Sequence, residues 1–279
     1  MNDFGGHVKK IACVHDMFCL GRCALSVVMP VLSVMGNQAV PLPTALLSTH
    51  TGGFEDFTFL DLTCEMEKIL VHWKKLGTSF DAVYSGFLGS MDQIGCVSRL
   101  IREFTKDDSL ILVDPVLGDD GRLYRTITDG LCRGMRELVS HAHVITPNTT
   151  EALILLGLDP ADHDKPFDPT LLERLCDLGP KRVAVTGVHM DGKVGTASYD
   201  AKTDVMKLCM RERIARSYPG TGDIFASVLL GRMLRGDDIH AAAEAASDYV
   251  CLLIRDSAQY DDETRYGVAL EAHLGELCI

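Results

Sequence analysis

The sequence contains no apolar run approaching the roughly 18 residues that a membrane-spanning helix needs. Its first residues, MNDFGGHVKK, are polar and lack the apolar core of a signal peptide. Basic residues are also scarce, because 27 Lys and Arg stand against 39 Asp and Glu, which gives a formal charge of −12. An acidic surface repels nucleic acid and anionic lipid. These absences predict a soluble cytoplasmic protein that binds neither nucleic acid nor membrane.

Several familiar motifs are missing as well. The 10 cysteines include no C-x-x-C pair, which argues against a zinc ribbon or a thioredoxin-like centre and favours reduced thiols. No G-x-x-x-x-G-K-[ST] occurs, so a Walker-type P-loop is excluded, and no G-x-G-x-x-G follows a strand, which disfavours a Rossmann site. No linker, charge block or internal repeat divides the chain, so residues 1–279 are expected to form one domain.

Short apolar runs alternate with longer amphipathic segments along the chain. The runs are rich in Val and Ile and predict buried strands at Val8–Val14, Ala39–Leu47, Ala82–Ser85, Leu110–Val113, His143–Thr146 and Arg182–Thr186. Helices are predicted at Arg22–Met35, Leu60–Leu76, Asp92–Phe104, Asp129–Ser140, Thr149–Leu156 and Pro169–Cys176, with Asp92 as an N-cap and Gly77 as a stop. This alternation predicts an α/β fold whose mostly parallel sheet carries helices on both faces.

The pattern changes after Thr186. Lys193–Tyr199 and Val205–Arg211 predict an antiparallel hairpin, and Ile224–Leu234 and Ile239–Ile254 predict two closing helices.

The sequence Gly220-Thr221-Gly222-Asp223 precedes the first of these closing helices. Glycines allow close backbone approach and a helix start presents unpaired N–H groups, so the segment suits an anion such as phosphate. A carboxylate beside bound phosphate makes sense if Asp223 takes the proton of an attacking hydroxyl. The alternative interpretation is an acidic residue that only favours the helix dipole.

Further polar clusters follow the predicted strands. One contains Asp114, Asp119 and Asp120, which suit magnesium or an Asp-rich turn. Another contains Asn148 and Glu151, which suit a ligand pair or a capping box. His15 and Asp16 follow the first predicted strand, and Ser48–Gly53 follows the second. Because the carboxyl ends of parallel strands share one edge, we expect these clusters to converge on one crevice.

The joint pattern resembles the pyridoxal kinase branch of the ribokinase-like superfamily over essentially the whole chain. The resemblance is carried by Ser48-Thr49-His50-Thr51-Gly52, Asp114-Pro115-Val116-Leu117-Gly118-Asp119, Ile145-Thr146-Pro147-Asn148-x-x-Glu151 and Gly220-Thr221-Gly222-Asp223. It implies a three-layer α/β/α sandwich that transfers the γ-phosphate of ATP to the 5′-hydroxymethyl group of pyridoxal, pyridoxamine or pyridoxine. It implies Mg²⁺ as a cofactor and a homodimer, and it leaves a requirement for K⁺ open.

The resemblance also implies a role for each site residue. Asp223 matches the catalytic base, and Gly220, Thr221 and Gly222 match the anion hole. The residues matching nucleotide contacts are Asp114, Asp119, Tyr124, Thr146, Asn148, Glu151 and Thr186, of which Asp114, Asn148 and Glu151 organise magnesium. The residues matching vitamin contacts are Asp16, His50, Thr51, Phe87 and Asp223.

Asp16 departs from the family pattern, in which many members carry a serine. A carboxylate suits a protonated ring nitrogen or the ammonium of pyridoxamine better than the aldehyde of pyridoxal, so we expect a preference for pyridoxamine or pyridoxine if Asp16 faces the ring. Two other functions stay open: a hydroxymethylpyrimidine or sugar kinase of the same superfamily, and a non-catalytic nucleotide- or vitamin-binding sensor.

Overall fold

The fold is described here for residues 8–260 and 263–278 of a computed structural model. The strands are β1 (Lys10–Leu20), β2 (Gln38–Thr49), β3 (Phe59–Asp61), β4 (Phe80–Ser85), β5 (Thr105–Val113), β6 (Gly118–Asp119), β7 (Arg122–Leu123), β8 (Val144–Ile145), β9 (Arg182–Met190), β10 (Lys193–Asp200) and β11 (Val205–Glu212). The α-helices are α1 (Leu25–Val34), α2 (Thr63–Lys75), α3 (Met91–Phe104), α4 (Asp129–Val139), α5 (Thr149–Leu155), α6 (Thr170–Cys176), α7 (Thr221–Leu234) and α8 (Ile239–Ser257). Residues 1–7, to which the signal-peptide prediction largely refers, lie outside the described residues.

A nine-stranded sheet runs through the molecule in the order β11-β10-β9-β8-β5-β4-β1-β2-β3. The six strands from β9 to β2 are parallel, whereas β10 and β11 at one edge and β3 at the other are antiparallel. Strands β6 and β7 form a separate two-stranded hairpin. The predicted mostly parallel sheet is therefore confirmed.

The sheet separates two hydrophobic cores. Because side chains alternate along a strand, Ala12 and Val14 of β1 face the core built with α2 to α6. Ile11 and Cys13 face the opposite core, built with α1, α7 and α8. The three layers, helix on sheet on helix, confirm the predicted α/β/α architecture.

A gap in the sheet positions the site. Strand β1 pairs with β4 only as far as Val14 and Ser85, although it continues beside β2 to Leu20. The register with β2 shifts between His15 and Met17, so that Asp16 lies at a bulge. Bulges next to active sites re-aim side chains, and here β1 continues past the end of its pairing with β4 at the carboxyl edge of the sheet.

Several predicted boundaries are wrong. Strand β1 is longer than Val8–Val14 and includes His15 and Asp16. The predicted helix Leu60–Leu76 starts at Thr63, because residues 59–61 pair with β2 instead. The N-cap of α3 is Ser90 rather than Asp92, since its hydroxyl accepts a hydrogen bond from the amide of Gln93 at 3.2 Å.

Strand β9 and helix α7 are longer than predicted, and the predicted end of α2 is confirmed. Strand β9 extends beyond Thr186 and pairs with β10, so the expected hairpin is part of a three-stranded antiparallel edge. Helix α7 begins at Thr221, which places the predicted anion site inside its first turn. The predicted stop at Gly77 is confirmed by its left-handed φ of +65° just after α2. In the described ranges, none of the helices has both the length and the apolar character that crossing a bilayer requires.

Candidate active site

A glycine turn places the start of α7 against the loop that follows β1. Gly220 is the N-cap residue, with a φ of +83°, a conformation that favours glycine. A Cβ atom there would lie 2.1 Å from the carbonyl oxygen of Arg22, so no side chain fits. Gly222 is exposed and has no heavy atom within 4 Å of where its Cβ would be. The first turn of α7 therefore presents open N–H groups, as an anion site requires.

Asp223 lies in this first turn and is held by the opposite loop. Its Oδ2 atom accepts a hydrogen bond from the backbone N–H of Ala24 at 2.8 Å, while its Oδ1 atom lies 3.8 Å from Nδ1 of His15. Ala24 itself adopts a φ of 50° and a ψ of −135°, a strained conformation for a residue with a side chain. The fold thus accepts local strain where the carboxylate is anchored.

Three carboxylates crowd together at this point. Burial raises the pKa of Asp16 to about 8, and the Asp223 carboxylate adds to the shift. Burial likewise raises the pKa of Asp114 to about 8, again with a contribution from Asp223, while the Thr146 hydroxyl opposes it. Burial raises the pKa of Asp223 to about 6, against the effect of the Ala24 N–H. These residues come from β1, the end of β5 and α7, so the fold brings three carboxylates from distant segments together.

Glu151 joins the cluster through a capping box. Its Oε2 atom accepts a hydrogen bond from the N–H of Asn148 at 2.8 Å, and the Asn148 side chain accepts one from the N–H of Glu151. Its Oε1 atom accepts from the N–H of Leu117 at 3.1 Å. Burial raises the pKa of Glu151, and the charge of Asp114 adds to the rise. The capping alternative is therefore present, and the same carboxylate also belongs to the acidic site.

The donor set suits a hard divalent cation. Magnesium takes oxygen ligands and is usually held by one or two carboxylates together with phosphates and water. Asp114 and Glu151 keep lone pairs for such a role, and the side-chain oxygen of Asn148, which accepts one hydrogen bond from the N–H of Glu151, keeps one as well. Among the described residues, no group of three or more His, Cys, Asp or Glu side chains is arranged to hold a metal.

The other residues expected to contact the nucleotide lie around this cluster. Thr146 is buried directly after β8, and Thr186 of β9 bridges to Asn148. Asp119 and Tyr124 belong to the exposed β6–β7 hairpin region, where the N–H of Tyr124 donates to Leu117. The contacts of these four residues with ATP stay a prediction.

The residues expected to contact the vitamin are arranged less uniformly. His50 has both ring nitrogens engaged: Nδ1 accepts from the N–H of Gly52 at 3.1 Å, so Nε2–H donates to the carbonyl of Arg265 at 2.6 Å. This gives the imidazole a structural role in the bend that contains the exposed Thr51. Phe87 is half-buried, and its carbonyl accepts the Thr44 hydroxyl. Their roles toward a ligand stay predictions.

Two residues at the site have no role assigned from the sequence. His15 faces Asp223, and Ala24 anchors it. Neither residue belongs to a sequence motif. The strained backbone of Ala24 and the burial of His15 beside Asp223 become visible only in the structure. The one available signal for His15 was a titratable residue directly beside Asp16.

Comparisons with known proteins agree with this geometry. Residues 29–267 match the model of the family described as phosphomethylpyrimidine kinase. The pyridoxine/pyridoxal/pyridoxamine kinase of Bordetella avium is 30% identical over 268 residues, covering 89% of this chain and 87% of the relative.

Two solved structures share the fold over nearly the whole chain. One, from Bacteroides thetaiotaomicron, is described as a candidate phosphomethylpyrimidine kinase with pyridoxal; it is 42% identical, covers 97% of this chain and 96% of that chain, and has a TM-score of 0.91. The pyridoxal kinase of Lactobacillus plantarum is 30% identical, covers 97% of each chain and has a TM-score of 0.89. The chain therefore belongs to the phosphomethylpyrimidine kinase family, in the pyridoxal kinase branch of the ribokinase-like superfamily.

Proposed function

We propose that this protein transfers the γ-phosphate of ATP to the 5′-hydroxymethyl group of a vitamin B6 vitamer and thereby serves pyridoxal phosphate salvage. The observation that carries the proposal is the position of Asp223, a carboxylate anchored by Ala24 in the first turn of an anion-binding helix. A pure binder would gain little from a carboxylate beside phosphate. A phosphoryl-transfer enzyme needs both an anion site and a base close to it.

The residues divide the reaction between them. Asp223 accepts the proton of the attacking hydroxyl, and its pKa of about 6 leaves it mostly ionised at neutral pH. The N–H groups of Gly220, Thr221 and Gly222 at the start of α7 stabilise charge on the transferred phosphoryl group. Asp114 and Glu151 would hold magnesium, which supplies charge neutralisation for the nucleotide phosphates when bound. Asn148 fixes Glu151 through the capping box.

The comparisons support this substrate class. The Bordetella relative carries all three vitamers in its name, and the Bacteroides structure, which is 42% identical, contains pyridoxal. The family description favours a second candidate, phosphorylation of a hydroxymethylpyrimidine. The two substrates share a nitrogen heterocycle with a hydroxymethyl group, so the same base and anion site would serve both.

Asp16 supports a preference among the vitamers. It is buried beside Asp223, and its pKa of about 8 leaves it largely protonated in the empty site at neutral pH. A cationic ring nitrogen, which all three vitamers share, would stabilise the ionised form of Asp16. At the 4′ position the ammonium of pyridoxamine and the hydroxyl of pyridoxine would donate to the carboxylate, whereas the aldehyde of pyridoxal has no donor. We therefore propose that pyridoxamine and pyridoxine are used more efficiently than pyridoxal.

A coupled assay of ATP consumption tests the function directly. Pyridoxal, pyridoxamine, pyridoxine, hydroxymethylpyrimidine and a sugar panel are each supplied with and without Mg²⁺, and with K⁺ exchanged for Na⁺. Asp223→Ala is expected to lower kcat by on the order of a hundredfold or more, while Glu244→Ala, which removes an exposed carboxylate of α8, leaves kcat unchanged. A loss below about threefold in Asp223→Ala removes Asp223 from the role of base. Vitamer binding by calorimetry without turnover would favour a sensor.

We also propose a cytoplasmic homodimer built from one domain per chain. The continuous nine-stranded sheet supports a single domain. The paired residues Leu46 and Leu60, together with Phe59, are exposed by 39%, 56% and 52% on the β2–β3 edge, and apolar edge strands favour association. Sedimentation equilibrium of wild type and Leu60→Glu tests the dimer, and a wild-type monomer would contradict it.

A further inference from the structure

His15 is a buried histidine without a hydrogen-bonding partner. Its side chain is 0% exposed, and neither Nδ1 nor Nε2 forms a hydrogen bond with any residue that the structure describes. Buried polar groups are nearly always paired, so an unpaired imidazole in the centre of a fold calls for a functional explanation. Burial lowers the pKa of His15 to about 3, so the ring is neutral and carries one N–H donor and one acceptor.

Tyr84 of β4 and Gly86, which follows that strand, confine the imidazole ring of His15. A Cβ atom on Gly86 would lie 2.2 Å from Nδ1 and 2.4 Å from Cε1 of His15, so the imidazole occupies the space that only a glycine leaves free. The φ of Gly86 is not in the left-handed region, so its backbone would accept another residue if the ring were absent. The ring of Tyr84 packs edge-on against the imidazole, with centroids 4.3 Å apart and an interplanar angle of 80°.

In this orientation the ring lies beside the proposed base. The distance from Nδ1 of His15 to Oδ1 of Asp223 is 3.8 Å, just beyond a hydrogen bond. The other oxygen of Asp223 is already held by the N–H of Ala24 at 2.8 Å. One oxygen of the carboxylate is therefore hydrogen-bonded, and the other faces a ring nitrogen of His15 at a distance just beyond a hydrogen bond. Catalytic hydrogen bonds are often long in the ligand-free enzyme and tighten in the substrate complex.

We propose that His15 is a positioning residue whose Nδ1–H donates to Oδ1 of Asp223 when substrate is bound. The bond fixes the rotation of the carboxylate, so that a lone pair faces the attacking hydroxyl. His15 stays neutral throughout and transfers no proton. Gly86 is required because it makes room for the ring. The inference rests on the proposed role of Asp223 as the base.

Two substitutions at position 15 separate hydrogen bonding from packing. Asparagine places an amide N–H at the same number of bonds from Cβ as Nδ1, whereas leucine fills similar space without a donor. We expect His15→Leu to lower kcat on the order of tenfold or more, with the KM values for ATP and vitamer within about threefold of wild type. His15→Asn is expected to retain kcat within about threefold of wild type. Equal losses in the two variants, or an unchanged kcat in His15→Leu, overturn the proposal.

Gly86→Ala tests the same contact from the other side. The added methyl group would displace the ring from Asp223, so kcat should fall as in His15→Leu. In a His15→Ala background the methyl group has free space, and Gly86→Ala should then cost no more than about twofold in kcat. A loss from Gly86→Ala that is independent of residue 15 would overturn the steric argument.

A spectroscopic measurement stands apart from turnover. Long-range ¹H–¹⁵N spectra of histidine-labelled enzyme report which ring nitrogen carries the proton. We expect His15 to be protonated on Nδ1 in wild type with a bound vitamer, and to lose this preference in Asp223→Leu. A proton on Nε2 overturns the inference even if the enzyme phosphorylates the vitamer. A proton on Nδ1 in an enzyme without kinase activity supports the contact and refutes the proposed function.

Discussion

Replacing Asp223 with asparagine should stabilise the fold while it removes the activity. Burial raises the pKa of this carboxyl from 3.8 to about 6, so the folded protein holds an ionised group that the unfolded chain would solvate better. Each pKa unit corresponds to about 1.4 kcal/mol, which makes the cost at most about 3 kcal/mol. Asparagine removes the charge but keeps an oxygen for the N–H of Ala24. We expect Asp223→Asn to raise the free energy of unfolding by about 1–3 kcal/mol at pH 8.

The gain should depend on pH in a defined direction. A carboxyl whose pKa is raised in the folded state imposes no cost below the unfolded value of 3.8, where both states are protonated. The cost grows between pH 3.8 and about 6 and stays constant at higher pH. Asp16 and Asp114, whose pKa values are about 8 and are raised partly by Asp223, extend the dependence toward pH 8. The advantage of Asp223→Asn over wild type should therefore be small at pH 4 and largest at pH 8.

Urea denaturation of both proteins in magnesium-free buffer at pH 4, 6 and 8 measures this difference. Glu244→Gln serves as a control, because it removes an exposed carboxylate that lies outside the acidic site. Activity is measured in parallel and should fall by on the order of a hundredfold or more. The reasoning is refuted if Asp223→Asn is no more stable than wild type at pH 8, or if its advantage is equally large at pH 4.

Four further outcomes are expected. The two oxygens of Glu151 accept hydrogen bonds from the N–H groups of Leu117 and Asn148, and in Glu151→Gln one of these N–H groups would face the side-chain NH₂. This variant should lower the free energy of unfolding by about 1–3 kcal/mol in urea melts; unchanged stability would show that the second carboxylate oxygen is dispensable. Gly220→Ala should lower both stability and kcat, because its Cβ would lie 2.1 Å from a backbone oxygen, whereas Gly222→Ala, with no atom within 4 Å, should retain stability in thermal melts. The kcat/KM of wild type should fall as pH drops through about 6, since a protonated Asp223 cannot accept a proton; a flat profile between pH 5 and 8 would contradict this. Asp16→Ser should shift the kcat/KM ratios of the vitamers toward pyridoxal, and unchanged ratios would show that Asp16 does not contact the ring.

The sequence pattern predicted the layers of the fold better than the ends of its elements. Buried parallel strands are apolar throughout, so their positions stand out in the sequence. Strand β1 was predicted too short because His15 and Asp16 are polar, yet the ladder with β2 continues past them to Leu20. The pattern predicts a helix from Leu60, because a short apolar run fits either periodicity, and only the pairing of β3 with β2 shows that Leu60 and Asp61 belong to a strand.

The sheet topology predicts that the site residues lie close together, but it does not predict their hydrogen bonds or backbone strain. Strand ends that share one edge bring Asp114 and Glu151 together whatever their local role. Sequence spacing offered a ligand pair or a capping box at Asn148 and Glu151, and the fold uses the capping box without removing Glu151 from the acidic cluster. The strain at Ala24 and the unpaired ring of His15 depend on contacts between distant segments, so no local rule reveals them.

The crowded carboxylates connect stability with substrate chemistry. Asp16, Asp114 and Asp223 are held close together and partly or fully buried, and the charge of Asp223 raises the cost of ionising the other two. A fold selected for stability alone would replace them with apolar side chains. A dication at Asp114 and a cationic heterocycle at Asp16 would each lower the pKa of the carboxyl that they contact. Both ligands would thus pair with the carboxylates beside Asp223, so that Asp223 stays ionised and able to accept a proton when the site is filled.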